Sequence, residues 1–320
     1  MGGVAAREPG FAAALRALVR GDVREDEPLA RYSTYRIGGP ATVLLPSSAE
    51  DVALALKAAG QAGIPWFALG LGSNLLFPDS GLDALVIRLG KGLDRVEASG
   101  ESWRLGAGLP GPLAARRTAE GGWAGLHKFV GVPGTVGGGV YMNAGCHGGE
   151  WAEVVTRVLV VDAHGQERWL MRADVPFTYR RSGLDGLVVL EADVTLRAER
   201  KESLAEEVAE LFRWRQEGTP FNQPCCGSVF KNPGGPSWEH REGPRTAGQL
   251  IEAAGLKGTR IGGAEISPMH ANYFVNTGGA SAADIRGLIA LAQARVRDQF
   301  GAILETEVKL IGTRGEYLHG

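Results

Sequence analysis

The chain has 320 residues, of which 44% are hydrophobic and 22% are charged, and its formal net charge is −2. This composition is ordinary for a soluble globular protein, and the length allows about two domains with cores of their own. The small net charge gives no electrostatic basis for binding nucleic acid, and no apolar run approaches the ~18–20 residues of a membrane-spanning helix.

Signals for secretion, disulfides and metals are weak in this sequence. Residues 1–20 lack the apolar core of a signal peptide, so we expect a cytoplasmic protein. The cysteines, Cys146, Cys225 and Cys226, are odd in number and include two neighbours, which argues against a disulfide framework. The six histidines do not pair at metal-ligand spacing. We therefore expect no metal, no nucleic acid or membrane partner, and a monomer.

The N-terminal half of the chain is predicted to alternate helices with strands. Its predicted elements are a helix over residues 11–19, a polar linker over 20–28, a strand over 41–45, a helix from a capping-box pattern at 47–50 to Gly60 or Gly63, strands over 64–69, 85–89 and 103–108, and a helix opened by Pro110 and Pro112. The strand over 64–69 runs into a glycine-rich turn, Gly70-Leu71-Gly72-Ser73-Asn74. Ser73 and Asn74 can add side-chain hydrogen bonds to a group held by the backbone of this turn.

Residues 106–111 match the dinucleotide fingerprint G-x-G-x-x-G and lie between a predicted strand and a predicted helix. Pro110 removes a backbone N–H from this turn, and about 20 residues further on the chain has Lys128-Phe129-Val130 where the fingerprint expects an acidic residue. We therefore do not assign a Rossmann site to this segment.

The chain is organised around residues 131–145, in which six of fifteen residues are glycine. Glycine lets a ligand approach the backbone closely, and a run of glycines offers N–H groups with little side chain in the way. Such a loop suits an anion such as a pyrophosphate, which amide dipoles can hold without lysines. The alternative is a tight structural turn packed on a neighbouring strand. The density of glycine favours the ligand-binding loop.

The C-terminal half is predicted to change character near residue 200, where we place a domain boundary. Its predicted elements are a hairpin of strands over 154–162 and 167–171, a strand over 187–196, an amphipathic helix over 201–216, a turn-rich region over 220–244, a helix over 246–254, a strand over 271–275, a helix over 281–300 that stops at Gly301, and a last strand over 303–311.

Three places in this half carry residues that could take part in catalysis. Residues 226–233 place Ser228 in a tight turn, followed by a cation and an amide, although an ordinary turn is equally compatible. Arg180 and Arg181 could be a solvated pair, and Glu307 could face water on an edge strand. The residues alone indicate a two-domain protein with an anion-binding loop, and they leave the reaction type open.

Six motifs, taken together and in order, resemble the UDP-N-acetylenolpyruvoylglucosamine reductases, the MurB family of peptidoglycan synthesis. The resemblance covers residues 28–313. The motifs are Thr34-Tyr35-Arg36-Ile37-Gly38-Gly39, residues 70–74, residues 131–138 with 141–145, Tyr179-Arg180, residues 227–233, and Leu304-Glu305-Thr306-Glu307-Val308. The short spacing from Arg180 to Ser228 leaves no room for the tyrosine-bearing insertion of longer members, so the chain is similar to the shorter subclass, type II.

The resemblance implies an α+β fold with an FAD-binding part of the vanillyl-alcohol-oxidase (PCMH) type in two subdomains, followed by an α+β substrate-binding domain. The implied organisation is an N-terminal helix and linker over 1–27, an FAD-binding domain over 28–200 that splits near 90–100, and a substrate domain over 201–320. The implied FAD-binding residues lie in the two glycine-rich loops and are Gly70, Gly72, Ser73, Asn74, Gly131, Pro133, Gly134, Thr135, Gly137 and Gly138.

The implied reaction has two halves, in which NADPH reduces FAD and the reduced flavin then gives a hydride to the enolpyruvyl double bond, forming UDP-N-acetylmuramate. Arg180 would hold the enolate charge that develops on the carboxylate, Glu307 would polarise the same carboxylate, and Ser228 would deliver the proton. The implied substrate-binding residues are Asn232, Lys231 and Arg213, with Arg215 as another candidate for the diphosphate. Arg181 departs from the family, in which Asp or Asn is common at that position.

Two other classes of function remain open from the sequence. One is a flavin-dependent oxidase or dehydrogenase of the same superfamily that acts on another substrate. The other is a binding protein without catalytic activity.

Overall fold

A computed structural model describes residues 9–234 and 242–318. The chain packs as two compact units, each formed from separate stretches of sequence. The first unit comprises Met1–Glu27, Ala41–Leu71 and Asp83–Arg215, and the second comprises Pro28–Pro40, Gly72–Leu82 and Gln216–Gly320. The predicted boundary near residue 200 therefore falls before the long helix that ends the first unit, and two short N-terminal stretches belong to the second unit.

The α-helices of the described residues are α1 (Pro9–Leu18), α2 (Ala49–Ala62), α3 (Gly111–Glu120), α4 (Val136–Tyr141), α5 (Lys201–Gly218), α6 (Ala247–Ala253) and α7 (Ala282–Phe300). The strands are β1 (Asp22–Pro28), β2 (Pro40–Leu45), β3 (Trp66–Leu69), β4 (Leu75–Leu76), β5 (Leu85–Arg88), β6 (Val96–Ser99), β7 (Ser102–Gly106), β8 (Trp123–Ala124), β9 (Gly145–Cys146), β10 (Gly149–Glu150), β11 (Val155–Asp162), β12 (Glu167–Met171), β13 (Leu187–Thr195), β14 (Arg197–Ala198), β15 (Cys225–Ser228), β16 (Arg260–Ile261), β17 (Ala264–Ile266), β18 (Tyr273–Asn276), β19 (Lys309–Ile311) and β20 (Tyr317–Leu318).

The first unit contains a four-stranded sheet in the order β1-β2-β5-β3, in which β2 and β3 both run parallel to β5. Helix α2 connects β2 to β3 and buries one apolar stripe, as predicted. Ser48 caps this helix by accepting a hydrogen bond from the N–H of Asp51, and Gly63 ends it in the left-handed conformation. Asp51 in turn accepts hydrogen bonds from the backbone N–H groups of Arg20, Gly21 and Ser47. The start of this helix is therefore fixed to the loop before β1.

A five-stranded antiparallel sheet in the order β12-β11-β13-β7-β6 forms the other large sheet of the first unit. The predicted hairpin is present as β11 and β12, and β13 pairs with the opposite edge of β11. Leu190, Ala192 and Val194 of β13, the strand predicted over residues 187–196, are buried. Helix α4, which lies within the glycine-rich segment, packs against this sheet and against α3.

The second unit is built on a four-stranded sheet, β15-β18-β17-β16, and a three-stranded sheet, β20-β19-β4. Helices α6 and α7 pack their apolar faces into one core with these strands. Helix α7 has the predicted ends, with a capping box formed by Ser281 and Asp284 at its start and Gly301 in the left-handed conformation at its end.

Two predicted elements were wrong. Residues 22–28, predicted as part of a polar linker, form the edge strand β1, because pairing with β2 outweighs their polar composition. The predicted strand over 303–311 is a strand only at Lys309–Ile311. Burial still alternates through Leu304, Val308 and Leu310, but residues 305–307 form an isolated bridge to Phe230 instead of a ladder.

Candidate active site

The glycine-rich segment of the first unit turns into α4 at Thr135, whose hydroxyl accepts a hydrogen bond from the N–H of Gly138. The N–H groups of Val136, Gly137 and Gly139 also bond inside the protein, to Leu109, Ala107 and Thr135. The expectation that this run leaves many bare N–H groups was therefore too broad. Most of its amides hold the loop itself in shape.

The two predicted loops meet in this unit at Gly70 and Thr135. A Cβ on Gly70 would lie 2.7 Å from the Thr135 hydroxyl oxygen, so only glycine fits here without displacing that side chain. Among the hydrogen bonds of the described residues, none is donated by the backbone N–H groups of Gly70, Gly134 or Thr135. Donors without an internal partner at a close meeting of two loops suit a phosphate group.

The other predicted loop residues of this unit differ in environment. Pro133 and Gly138 are exposed, which leaves that side of the loop open. Gly137 is buried, and a Cβ there would lie 2.7 Å from the Cβ of Ala107. A Cβ on Gly131 would lie 2.8 Å from Cγ of Arg215. At Gly131 and Gly137, close packing is therefore enough to require glycine, whether or not a ligand binds there.

The remainder of the first loop belongs to the second unit. Gly72 has φ +62°, and a Cβ there would collide with the carbonyl oxygen of Tyr32. Asn74 donates a hydrogen bond of 3.1 Å from its side-chain amide to the carbonyl of Glu307, and its own carbonyl accepts one from Lys309. The side chain of Asn74 therefore positions the segment that carries Glu307.

Arg180 lies in a tight turn of the first unit, in which Thr178 and Arg181 exchange both backbone hydrogen bonds. Its φ of +57° is unusual for a residue with a side chain. The guanidinium donates a hydrogen bond of 3.1 Å to the carbonyl of Gly145 and lies 4.8 Å from the ring centre of Tyr179. These contacts hold the planar cation beside the glycine-rich segment.

Ser228 ends β15 in the second unit. Cys225 pairs with Val275 and Ser228 pairs with Tyr273, so β15 has one more residue than β18 across this interval. The extra residue is a β-bulge, and Gly227 adopts φ +72° within it. Bulges change the direction in which the following side chain points and often occur next to active sites. The tight turn predicted around Ser228 is this bulge.

Glu307 is adjacent to the same segment. Its N–H donates a hydrogen bond of 2.8 Å to the carbonyl of Val229, the residue after Ser228. The N–H of Lys231 donates to the carbonyl of Glu305 at 2.9 Å, which continues the pairing of the two segments. The structure thus brings the segments of Ser228 and Glu307 together, although the two residues are 79 positions apart in the sequence.

The three residues predicted to bind substrate have different surroundings. The side-chain oxygen of Asn232 accepts a hydrogen bond from the N–H of Ala247, the first residue of α6. The ammonium of Lys231 lies 3.2 Å from the carboxylate of Glu305. Arg213, in the first unit, is exposed near the C-terminal end of α5.

Comparison with known proteins decides the family. A family model described as the C-terminal domain of UDP-N-acetylenolpyruvoylglucosamine reductase matches residues 219–311, and one described as an FAD binding domain matches residues 40–170. The UDP-N-acetylenolpyruvoylglucosamine reductase of Halalkalibacterium halodurans is 44% identical over 94% of this chain and 98% of its own length. The protein of the same name from Bacillus subtilis is 40% identical over 91% of this chain and 95% of its own.

A crystal structure of the reductase MurB from Thermus caldophilus superposes with a TM-score of 0.77 and 34% identity, covering 91% of this chain and 99% of that one. The chain belongs to the UDP-N-acetylenolpyruvoylglucosamine reductase family. The predicted family, the α+β fold with an FAD-binding domain, the reductase activity and the FAD cofactor are thereby confirmed. In the described part of the chain, no helix is long and apolar enough to cross a membrane.

The flavin of the MurB family fits the first unit in one specific respect. FAD carries a pyrophosphate, and the meeting of Gly70 with Thr135 combines backbone donors that lack internal partners with a close approach that a side chain would block. The fit rests on backbone groups, which explains why the sequence signals it through glycine and not through lysine or arginine.

Sequence reasoning missed several residues that position the MurB site. Asn143 is fully buried, donates to the carbonyl of Thr178 and accepts from the N–H of Ala152, so it fixes the turn that carries Arg180. Asn272 exchanges two hydrogen bonds with the backbone of Phe230 and so fixes the segment after Ser228. Each residue is a buried asparagine that bonds to backbone distant in sequence, for which the sequence carries no local signal.

Cys226 is a third residue that positions the site and that sequence reasoning missed. Its thiol contacts the carbonyls of Leu75 and Gly72 at 3.1 and 3.6 Å, and the hydroxyl of Thr34 at 3.4 Å. Burial raises the pKa of Cys226 to about 12, against smaller effects of its hydrogen bonds. The neutral thiol therefore joins the loop at residues 72–75 to the strand of Ser228 and is not a nucleophile.

Proposed function

We propose that this chain reduces UDP-N-acetylglucosamine enolpyruvate to UDP-N-acetylmuramate in peptidoglycan precursor synthesis, with NADPH as the reductant and FAD as the cofactor. The observation that carries the proposal is the pairing of the Ser228 segment with the Glu307 segment in the second unit. Ser228, which carries a hydroxyl, and Glu307, which carries a carboxyl group, stand on two segments joined by backbone hydrogen bonds, and this supports a shared role in protonating a carboxylate-bearing substrate.

The proposed FAD-binding residues are those of the two glycine-rich loops, with Gly70, Gly134 and Thr135 donating backbone hydrogen bonds to the pyrophosphate. When bound, FAD accepts a hydride from NADPH and supplies it to the enolpyruvyl double bond of the substrate. The protein's own groups then have two tasks, which are to stabilise the charge that this addition creates and to supply a proton.

Arg180 is proposed to stabilise the charge. Addition of a hydride to one carbon of the double bond sends the electron pair toward the neighbouring carbon and its carboxylate, giving an enolate. A guanidinium can hold the two carboxylate oxygens with two parallel N–H bonds, which become stronger as the charge grows. The bond to Gly145 and the contact with Tyr179 hold the guanidinium in orientation before the substrate binds.

Ser228 is proposed to complete the reaction by giving its hydroxyl proton to the enolate carbon. The new C–H bond forms with the enolate electron pair, the O–H bond of Ser228 breaks, and the serine oxygen then takes a proton from water. Glu307 is proposed to polarise the substrate carboxylate while the enolate exists. The bulge at Gly227 and the hydrogen bond from Glu307 to Val229 hold the backbone that carries these two residues in place.

The remaining polar contacts to the substrate are assigned to Asn232, Lys231 and Arg213, with Arg215 as a further candidate for the diphosphate. Because the oxygen of Asn232 is engaged by Ala247, its amide nitrogen is the atom that would donate to a substrate oxygen. The pairing of Lys231 with Glu305 reduces its local charge, which favours an arginine for the diphosphate. We further propose a monomeric, cytoplasmic protein with an FAD-binding domain over residues 28–200, from which Arg180 reaches the substrate, and a substrate-binding domain over residues 201–320.

The experiment is a steady-state assay with mass analysis of the product. The FAD-loaded protein should oxidise NADPH only when UDP-N-acetylglucosamine enolpyruvate is present, and the product should be heavier than that substrate by two hydrogens. Oxidation of NADPH at the same rate with oxygen alone, without a change in the nucleotide, would assign the chain to a flavin oxidase instead.

A further inference from the structure

A short hairpin in the first unit carries an unusual turn. Strands β9 and β10 pair through Gly145 and Cys146, and His147 and Gly148 form the two-residue turn between them. Both turn residues have left-handed backbones, with φ of +50° and +71°, which is the pattern of a type I′ turn. Such a backbone is uncommon for a residue with a side chain, and it holds the imidazole of His147 at the tip of the hairpin.

The imidazole of His147 packs on Trp214 of α5. The two ring centres are 5.0 Å apart and the planes are 79° to each other, an edge-to-face arrangement. The Nε2 atom of His147 is buried and has no hydrogen-bond partner among the described residues. A buried polar atom without a partner is energetically unfavourable, so a ligand that forms a hydrogen bond to this nitrogen would gain binding free energy.

Trp214 itself is exposed. Its side chain is 58% accessible to solvent, and it is the only exposed tryptophan of the described residues. A large, rigid aromatic ring that is held at one edge and open to solvent is suited to stacking against a flat ligand.

Cations lie along the same hairpin. The guanidinium of Arg180 bonds to Gly145, and the ammonium of Lys128 donates to the carbonyl of Gly148 at 3.2 Å. Arg215, next to Trp214 in α5, is close enough to Cys146 and His147 for its charge to affect the pKa of both. Burial raises the pKa of Cys146, and Arg215 and Arg180 oppose that rise. Burial also lowers the pKa of His147, and Arg215 lowers it further.

These groups follow one another along the hairpin. Arg180 bonds to Gly145 at its start, and the charge of Arg215 acts on Cys146 and His147. Trp214 contacts the ring of His147 at the tip. A carboxylate, a diphosphate and a nucleobase occur in that order along the substrate assigned under Proposed function. We propose that Trp214 is the stacking platform for the uracil of this substrate, with His147 Nε2 as a polar contact at the edge of the base and Arg215 at the phosphates. This proposal rests on the proposed function.

NADPH also contains a nucleoside diphosphate, and the test distinguishes the two sources. UDP and NADP+ are titrated separately into the FAD-loaded protein by calorimetry, without turnover. The variants are Trp214→Ala, which removes the ring, and Trp214→Phe, which keeps an aromatic face. Leu18→Ala is the matched control, because Leu18 is 52% exposed on α1, remote in sequence from this hairpin. Retention of bound flavin shows that each variant is folded.

We expect Trp214→Ala to weaken UDP binding about tenfold, because the base loses the aromatic face on which it stacks. Trp214→Phe should recover most of the affinity, and NADP+ binding and the Leu18→Ala control should match the wild type. Weaker binding of NADP+ alone would overturn the assignment to the substrate and place the adenine there. Unchanged binding of both nucleotides, or an equal loss in both Trp214 variants, would overturn the stacking platform.

The binding measurement is independent of catalysis. Loss of UDP affinity in Trp214→Ala together with an absence of reductase activity in the wild type would contradict the proposed function and leave the nucleotide site standing. Reductase activity in the wild type, together with a UDP affinity that Trp214→Ala leaves unchanged, would support the proposed function and contradict the nucleotide site at Trp214.

Discussion

The backbone N–H of Glu307 donates a 2.8 Å hydrogen bond to the carbonyl of Val229, the residue that follows Ser228. Through this bond the proposed proton donor and the proposed carboxylate partner share one rigid support. Asn74 adds a second tie, because its side-chain amide bonds to the carbonyl of Glu307. A loop predicted to bind the cofactor thus also positions a residue proposed to act on the substrate.

Replacement of Ser228 by alanine separates the two halves of the reaction. Ser228→Ala removes the proposed proton donor but no group that NADPH needs, so flavin reduction by NADPH should be close to wild type. Reoxidation by UDP-N-acetylglucosamine enolpyruvate should fall by about 10²–10⁴-fold, the usual contribution of general acid catalysis. Stopped-flow absorbance of each half-reaction measures both rates, and equal losses in the two halves would contradict the role of Ser228.

Replacement of Arg180 by lysine tests bidentate binding of the carboxylate. Lysine keeps the charge but cannot form two parallel N–H bonds, so we expect kcat for the substrate half-reaction to fall about 10²-fold. Arg181→Lys is the matched control. Arg181 is exposed and its guanidinium lies 3.6 Å from Asp185, a pair whose loss should matter little. If Arg181→Lys lost as much activity as Arg180→Lys, the turn and not the Arg180 guanidinium would be responsible.

Replacement of Gly70 by alanine tests the proposed pyrophosphate site. The added methyl would lie 2.7 Å from the Thr135 hydroxyl and force the two loops apart. Overpacking of this kind costs about 1–3 kcal/mol, so FAD should bind about tenfold more weakly. Gly10→Ala is the control, since a Cβ there meets nothing within 4 Å. Titration of FAD into the apoprotein by flavin fluorescence gives both affinities. Wild-type affinity in Gly70→Ala would remove this loop from the cofactor site.

Replacement of Asp51 by asparagine should destabilise the first unit. Asp51 is 2% exposed and accepts hydrogen bonds from Arg20, Gly21 and Ser47. Burial alone would raise the pKa of Asp51, but these hydrogen bonds together lower it below its usual value. Loss of bonds to a charged acceptor should cost about 2 kcal/mol of unfolding free energy at pH 7, measured by urea denaturation. Glu50→Gln, the exposed neighbour in the same helical turn, should change little.

The same substitution has a defined dependence on pH. Because the pKa of Asp51 is lower in the folded than in the unfolded state, its stabilising contribution is complete above about pH 4, the unfolded value, and is lost as the pH falls through the folded value. The difference in stability between the wild type and Asp51→Asn should therefore be constant from pH 5 to 7 and shrink below pH 4. A difference that grows on acidification would contradict this account.

Elements with local signals were predicted well from the sequence. Helix α7 begins after Ser281 and stops at Gly301, as predicted, and the hairpin predicted over residues 154–162 and 167–171 is present as β11 and β12. The family followed from six motifs in order, none of which decides it alone. These features depend on residues a few positions apart, where capping and periodicity act.

Features that depend on distant pairing were not predicted. Strand β1 has a polar sequence and exists because β2 offers it an edge. Residues 305–307 have the alternation of a strand but pair with Phe230 only through an isolated bridge. The tie between Asn74 and Glu307 joins residues 233 positions apart. No local pattern specifies such contacts, because the partners come together only when the unit packs.

The central claim is that this chain transfers a hydride from NADPH through FAD to UDP-N-acetylglucosamine enolpyruvate. The most direct measurement is the visible absorbance of the FAD-loaded protein without oxygen, first with NADPH and then with that substrate. The account predicts that the flavin absorbance bleaches with NADPH and returns in full when the substrate is added. Bleaching without recovery would contradict it, because the flavin fold would stand but the substrate would be a different molecule.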